Sequence, residues 1–225
     1  MEPSKSYASI HWDYFLLLEK DLNDILDSIE PCEDNLQVYG PKLAKLLLAT
    51  GSEIDVSFKD LIELLKQNYK ITNAKTDNIN DYKKFVQKYL QQEFDQVEVG
   101  FARSRLISIP WSNWWKTSNN KREPNDAPLP WWNAYNQVKH HRVDKYNLAT
   151  LENVLDAIAA LFTLIGALAR AENKLDGYRP PAILEFCDNR YGRVWIARVE
   201  DETIIMGNAP NFRFEPIENL SLSEL

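Results

Sequence analysis

The chain has 225 residues, 44% of them hydrophobic and 26% charged, which is an ordinary composition for a globular protein with its own core. Its only cysteines, Cys32 and Cys187, form neither a disulfide framework nor a paired metal-ligand motif, and such low cysteine usage predicts a reducing, cytoplasmic location. The net charge of −7 argues against a protein that coats nucleic acid over its whole surface.

Apolar residues recur at intervals of three and four in five segments, which predicts about five amphipathic helices and a mainly α-helical bundle. The predicted helices run from Tyr7 to Ile29, from Pro41 to about Tyr69, from Asp81 to Arg103 or Arg105, from about Trp131 to Tyr146, and from Leu151 to about Leu175. The apolar run of the fifth helix is interrupted by Asp156 and is shorter than the ~18–20 residues that span a bilayer. We therefore expect a core helix and no membrane partner.

The segment between the third and fourth helices, residues 110–130, has no helical period. Five of the seven tryptophans lie in or beside it. A loop of this length without secondary structure is uncommon in a compact domain. Because each tryptophan can bury ~150–250 Å², we expect an ordered loop that lies against the bundle.

The C-terminal part of the chain loses the helical period and alternates apolar with polar residues, which predicts a small antiparallel β-hairpin or sheet. The candidate strands are Ile183–Phe186, Arg193–Val199, Thr203–Met206 and Phe212–Phe214. We divide the chain into a helical bundle, residues 1–177, and a β appendage with a tail, residues 178–225. We expect the bundle to fold without the appendage.

The fourth predicted helix carries an unusual set of side chains. Two of the three histidines lie between Pro130 and Arg142, beside two adjacent tryptophans. At ~100° per residue, one helix face would collect Trp132, Asn136, Lys139, His140 and Val143. A face built for binding or catalysis is one interpretation. The alternative is a surface helix that buries Trp131, Tyr135 and Val138 and leaves its polar groups in water.

Positive charge is concentrated in the same part of the chain. Residues 101–146 hold eight basic and three acidic side chains, a net charge of +5, whereas the remainder carries −12. Basic side chains interleaved with aromatic ones suit a phosphate-bearing ligand with stackable bases. Charge asymmetry with ordinary packing of the tryptophans is the alternative.

Two carboxylates, Glu53 and Asp55, lie just after Gly51 in an otherwise apolar part of the second helix. A buried carboxylate needs a partner, and a histidine or a lysine would serve. We consider both as carboxylate partners of His140, and a solvated outer face of the helix as the alternative.

A helical bundle that carries Trp-x-x-Tyr-Asn-x-x-Lys-His-x-Arg, residues 132–142, resembles the HEPN superfamily of bacterial toxin and phage-defence ribonucleases. The resemblance covers roughly residues 7–176 and leaves the C-terminal strands outside. It implies a homodimer in which two sites meet, RNA as substrate, and cleavage through the 2′-hydroxyl without a metal or other cofactor. For a toxin it also implies a protein partner, the antitoxin.

Within that resemblance, His140 matches the histidine of the family and Asn136 its polar residue, whereas Tyr135 occupies the arginine position. That arginine would stabilise negative charge on the phosphate in the transition state, so Lys139, Arg142, Arg103 or Arg105 would have to replace it. The side chains expected to contact substrate are Trp132, Tyr135, Arg142, Arg103 and Arg105. The alternative is a degenerate member that keeps the fold for binding or dimerisation, or an interaction module whose aromatic loop binds a protein.

Other enzyme classes find little support in the sequence. It contains no glycine-rich phosphate loop, no His-Glu-x-x-His and no nucleophile elbow. The adjacent His140 and His141 would point ~100° apart on a helix, which is poor geometry for chelating one metal ion.

Overall fold

The computed structural model describes residues 6–71, 74–102, 104–173 and 178–187. Within these ranges the chain is mainly α-helical with two small antiparallel sheets, which confirms the predicted fold class. The α-helices are α1 Tyr7–Leu26, α2 Pro41–Tyr69, α3 Ile79–Tyr89, α4 Gln91–Phe94, α5 Pro130–His140, α6 Arg142–Lys145 and α7 Leu151–Ala171. The strands are β1 Val99–Phe101, β2 Ile107–Ser108, β3 Trp115–Ser118, β4 Lys121–Pro124 and β5 Leu184–Phe186.

Helix α7 is the central element, because α1, α2 and α5 all pack against it. Thr150 caps its first turn by accepting a hydrogen bond from the Asn153 N–H, 3.3 Å away. From Ala157 to Ala169 every side chain is buried. Its length and composition would also suffice to cross a membrane, but a helix enclosed by protein on all sides is a core helix, as predicted.

Helices α1 and α2 follow the predicted pattern closely. Pro41 occupies the first turn of α2, which runs without interruption to Tyr69, the predicted end. Helix α1 ends at Leu26, three residues before the predicted end. Its first turn is held by Glu172, whose carboxylate accepts from the N–H groups of Tyr7 at 2.9 Å and Ala8 at 3.1 Å. This carboxylate ties the start of α1 to the end of α7.

The prediction of one long third helix is wrong beyond Tyr89. The backbone leaves the helical region at Leu90, and after the single turn of α4 the chain enters strand β1. The sheet order is β2-β1-β5, with Val99 opposite Ser108 on one side and Phe186 on the other. Because β1 pairs with β5, a strand more than eighty residues away, the local spacing of apolar residues could not indicate the pairing. The periodicity therefore assigned residues 99–101 to a helix.

The tryptophan-rich segment is ordered and packs against the bundle, as predicted. Trp111 is fully buried, with its ring centroid 5.4 Å from that of Phe58 and 5.2 Å from that of Trp131. The expectation that the segment lacks secondary structure is wrong, because β3 and β4 form a hairpin. Asn119 and Asn120 form its turn with positive φ values of 48° and 60°, a conformation that asparagine tolerates.

The segment 178–187 contributes four side chains to the core of the bundle, Tyr178, Ile183, Leu184 and Phe186. Strand β5 lies within the predicted Ile183–Phe186 segment, and the ring of Phe186 stacks on that of Phe162 with centroids 4.1 Å apart. The indole N–H of Trp12 donates to the Arg179 carbonyl oxygen at 2.9 Å. These contacts argue against the expectation that everything after residue 177 is dispensable. The three later candidate strands lie outside the described residues.

A buried carboxylate on α1 holds this segment in place. Glu19 is 3% exposed, and its carboxylate oxygens accept from the N–H groups of Ala182 at 2.9 Å, Ile183 at 2.8 Å and Leu184 at 3.2 Å. Burial raises the pKa of Glu19 above its ordinary value, although the three N–H donors and the charge of Arg179 act in the opposite direction. The N–H groups at the start of β5 therefore depend on one side chain.

We expect Glu19→Ala to lower the free energy of unfolding by at least ~2 kcal/mol, because each buried N–H left without an acceptor costs ~1–3 kcal/mol. Chemical denaturation followed by circular dichroism measures this. Asp24→Ala is the matched control, since it removes the same charge from an exposed i,i+4 pair of α1 and should cost ~0.5 kcal/mol or less. Equal losses in the two variants would contradict this assignment.

Candidate functional site

Helix α5 is held by its apolar side. Pro130 begins it, and Trp131, Ala134, Tyr135 and Val138 are buried where it packs against α2 and α7. The indole N–H of Trp131 donates to the Pro110 carbonyl oxygen at 2.9 Å, which links the helix to the tryptophan-rich segment. This packing fixes which side chains of α5 point away from the core.

The predicted helix from Trp131 to Tyr146 is interrupted at His141. Its backbone N–H still donates to the Gln137 carbonyl oxygen at 2.8 Å, but its φ of −134° and ψ of 42° end the helix. A separate short helix, α6, follows before the chain enters α7. Val143 therefore does not share a face with the α5 residues, and it is 96% exposed. No glycine or proline marks this break in the sequence.

Tyr135, at the position that the resemblance assigns to arginine, is a packing residue. It is 4% exposed, and its ring occupies the space beside Gly51 of α2. A Cβ atom on Gly51 would lie 2.4 Å from Cδ2 of this ring, so only glycine lets the two helices approach so closely. The Lys139 ammonium donates to the Tyr135 hydroxyl at 3.2 Å and lies 5.2 Å from the ring centroid. Tyr135 therefore carries no positive charge itself, but its hydroxyl positions the Lys139 ammonium.

The end of α5 and the following helix form a basic surface, here named the basic end of α5. Its exposed members are Lys139, His140, His141, Arg142 and Lys145. Within the described residues none of them makes an ion pair with a carboxylate, and Asp144 is the one acidic residue among them. Three candidate residues of the sequence analysis, Lys139, His140 and Arg142, are therefore all exposed within four consecutive positions of the chain.

Asn136 lies one turn before His140 and lines a cavity of ≈ 170 Å³, here named the α3–α5 groove. The groove is lined by the start of α3, by residues 126–129 and by α5. Trp132, another candidate, is 9% exposed and lines the same groove. The candidate residues of α5 are therefore divided between a groove and an exposed basic end.

Only one of the two candidate arginines lies within the described residues. Arg105 is exposed in the turn between β1 and β2 and makes no hydrogen bond or ion pair within the described part of the chain. Arg103 lies outside the described residues. Their convergence with His140 stays a prediction.

Neither candidate carboxylate is a partner of His140. The Glu53 carboxylate lies 2.5 Å from Nδ1 of His11. The Asp55 carboxylate accepts from the Lys59 ammonium at 2.6 Å and from the Tyr82 hydroxyl at 2.7 Å. A carboxylate of α2 does contact a histidine, as expected, but that histidine is His11 and not His140.

The buried polar cluster around His11 was missed by the sequence analysis. Nε2 of His11 lies 2.9 Å from the Asp60 carboxylate, and the Ser57 hydroxyl lies 3.1 Å from Nδ1. Burial would lower the pKa of His11, but the hydrogen bonds and charges of Glu53 and Asp60 outweigh it and raise the pKa above 6.5. The sequence did contain a signal of this cluster, because Glu53, Ser57 and Asp60 are spaced so that they share one face of α2.

The His11 cluster stabilises the contact between α1 and α2 rather than forming a second reactive site. Both ring nitrogens of His11 are engaged by carboxylates, so neither is open to a substrate. Among the residues that the structure describes, no group of three or more His, Cys, Asp and Glu side chains is arranged to hold a metal ion.

Comparisons of this chain with protein-family models, with curated proteins and with solved structures give no match. A function for it therefore has to be argued from the side chains and their geometry.

We expect Gly51→Ala to lower the free energy of unfolding by ~1–3 kcal/mol, because the new methyl group overlaps the Tyr135 ring. In a Tyr135→Ala background the same substitution should instead be neutral or stabilising by up to ~1 kcal/mol, since alanine is the better helix former. Urea denaturation of the four proteins of this double-mutant cycle measures both values. A loss of stability in both backgrounds would show that the Tyr135 ring is not what requires glycine.

The raised pKa of His11 predicts a specific dependence of stability on pH. The charged imidazole contributes stability that is fully present below pH 6.5 and is lost as the pH rises through the higher pKa of the folded state. The deficit of His11→Gln against wild type should therefore be ~3 kcal/mol near pH 6 and shrink as the pH rises. Denaturation curves across this range measure it. His141→Gln, which removes an exposed imidazole, is the matched control. A deficit of His11→Gln that grows as the pH rises would contradict this assignment.

Proposed function

We propose that this protein binds RNA through the basic end of α5 and cleaves it with His140 as the group that transfers protons. The observation that carries the proposal is the cluster of five exposed basic side chains within residues 139–145, none of them neutralised by a carboxylate of the described chain. The imidazole of His140 lies within that cluster.

Phosphate binding follows from charge. Cations at a protein surface displace the counterions of a nucleic acid backbone, which gives affinity without sequence preference. The partial negative charge at the C-terminal end of α5 stabilises the positive charge of side chains in its last turn, where Lys139 and His140 lie. Arg142 and Lys145 belong to α6, so this dipole does not account for their position. Because the chain outside residues 101–146 carries a net charge of −12, RNA binding would be confined to that range, which includes the basic end of α5.

The chemistry proposed for His140 is proton transfer. An imidazole can take up and release a proton near neutral pH. The 2′-hydroxyl loses its proton as its oxygen bonds to the adjacent phosphorus, and the 5′-oxygen takes up a proton as its bond to that phosphorus breaks. Lys139 would supply the cation that the resemblance assigns to arginine, since its ammonium is held 3.2 Å from the Tyr135 hydroxyl, in the next turn of the helix. Tyr135 would then act as a positioning residue.

A second candidate function, a protein interaction module, has its own supporting observation. Four large apolar side chains of α1, Tyr7, Ile10, Tyr14 and Leu17, are between 41% and 61% exposed. Their spacing of three and four residues places them on one stripe of the helix. Such a stripe suits the homodimer that the HEPN resemblance implies, or contact with an antitoxin. This function would not require RNA.

We expect wild-type protein to cut a labelled single-stranded RNA at low salt in the presence of EDTA, and His140→Ala to abolish cutting while it still binds. Lys139→Ala and Arg142→Ala should each weaken binding and reduce the slope of log affinity against log salt by ~0.7, because each removes one phosphate contact. Gel assays of cleavage and fluorescence anisotropy of binding measure these effects. Lys84→Ala is the control, since it removes an equal charge from an exposed position on α3.

The outcomes separate the candidate functions. Binding without cleavage by any variant would support a degenerate RNA-binding relative and contradict the catalytic role of His140. A wild type that neither cuts nor binds RNA at low salt would contradict both RNA functions and leave the interaction module of α1. Equal weakening by Lys84→Ala would show that binding does not depend on the basic end of α5.

A further inference from the structure

We infer that the α3–α5 groove binds one unpaired nucleobase of the RNA, and so makes the protein selective for single strands. This inference rests on the proposed function, because it concerns the same RNA at the basic end of α5. It assigns a recognition site to side chains that the cleavage chemistry does not use.

The polar groups of the groove suit the edge of a base. Three asparagines line it, Asn80 on α3 and Asn133 and Asn136 on α5. Within the described residues none of their side-chain amides is hydrogen-bonded to protein. Each amide offers two donor hydrogens and an acceptor oxygen, the complement that the hydrogen-bonding edge of a nucleobase requires.

The rest of the lining supplies aromatic surface and one cation. Trp114 and Trp132 both line the groove, but Trp114 is 1% exposed, so the indole surface open to a base is that of Trp132, which is 9% exposed. The Lys83 side chain is 9% exposed, and its ammonium lies 3.2 Å from the Asp126 carboxylate, which is itself fully exposed. A nearly buried ammonium with a solvated counterion can still donate to a base carbonyl oxygen.

The size of the groove limits what can enter. Its volume of ≈ 170 Å³ is below the ~300–1,000 Å³ typical of sites that enclose a drug-sized ligand. A single planar heterocycle therefore suits it better than a whole nucleotide or a stacked pair of bases. A base in a duplex is paired and stacked and cannot enter, so the groove would select unpaired RNA.

The groove also lies at a suitable distance from the proposed chemistry. Asn136 and His140 are four residues apart on α5, which corresponds to ~6 Å along the helix axis. A base held at Asn136 would place its own sugar and phosphate near the basic end, where Lys139 and His140 are exposed. The basic end alone would bind RNA at any nucleotide. A base bound in the groove would determine which phosphate of the RNA lies beside His140.

Binding of three uncleavable 2′-O-methyl probes tests the inference by fluorescence anisotropy: a ten-residue single strand, the same strand in a duplex, and an abasic sugar–phosphate chain of equal length. We expect wild type to prefer the single strand over the abasic chain by about tenfold, as one stacked and hydrogen-bonded base provides. The double variant Asn133→Ala/Asn136→Ala should lower this preference to about twofold, with little change for the abasic chain. Asn147→Ala, an exposed amide outside the groove, should behave as wild type.

A fluorescent base gives a second readout. 2-Aminopurine at one position of the single strand should lose emission when it stacks in the groove of wild type and should keep it with the double variant. If the double variant binds all three probes as wild type does, the groove inference is overturned and the proposed function stands. If wild type binds none of them, both are overturned. Thermal unfolding confirms that the variants are folded.

Discussion

The close approach of α2 and α5 at Gly51 is the contact on which the candidate site depends. The Tyr135 ring fills the space that any side chain at residue 51 would occupy, and this fixes how α5 is rotated against the bundle. With Tyr135, Trp131 and Val138 turned inward, Asn136 lines the groove and Lys139 and His140 are exposed. A larger residue at position 51 would move every one of these groups, because they share one rigid helix.

Charged side chains that are buried or half-buried attach α1 to the rest of the molecule at several points. Glu19 accepts from three backbone N–H groups of the segment before and at the start of β5, His11 lies between two carboxylates of α2, and Glu172 caps the start of α1. Each buried charge has partners, as its desolvation requires. These contacts join segments that are distant in sequence and leave a stripe of apolar side chains on α1 exposed.

The proposed activity divides binding between two kinds of surface. Exposed cations hold a phosphate backbone of any sequence, whereas a groove of amides and indoles distinguishes an accessible base from a paired one. Tyr135 connects the two kinds of surface with the core, since it packs on α2 and its hydroxyl accepts from Lys139. In the proposed site, Lys139 would provide a cation near the phosphate without burying its charge.

Local periodicity was sufficient for the elements whose packing repeats along the helix. The start and end of α2, and the start of α7 and its central position, could be predicted because apolar spacing alone determines them. The burial of the tryptophan-rich segment was predicted from the apolar area of its tryptophans instead. The exposure of Lys139, His140 and Arg142 also follows, because charged side chains are rarely buried without a partner.

Other features were decided by tertiary structure alone. Strand β1 replaces the predicted end of the third helix because it pairs with β5, and the partners of His11 come from a helix more than forty residues away. The break at His141 and the cavity beside Asn136 depend on how the chain returns to α7 and on where α3 lies against α5. Sequence spacing describes one element at a time, whereas strand pairing, the partners of buried charges and grooves between helices are set by contacts between elements that are distant along the chain.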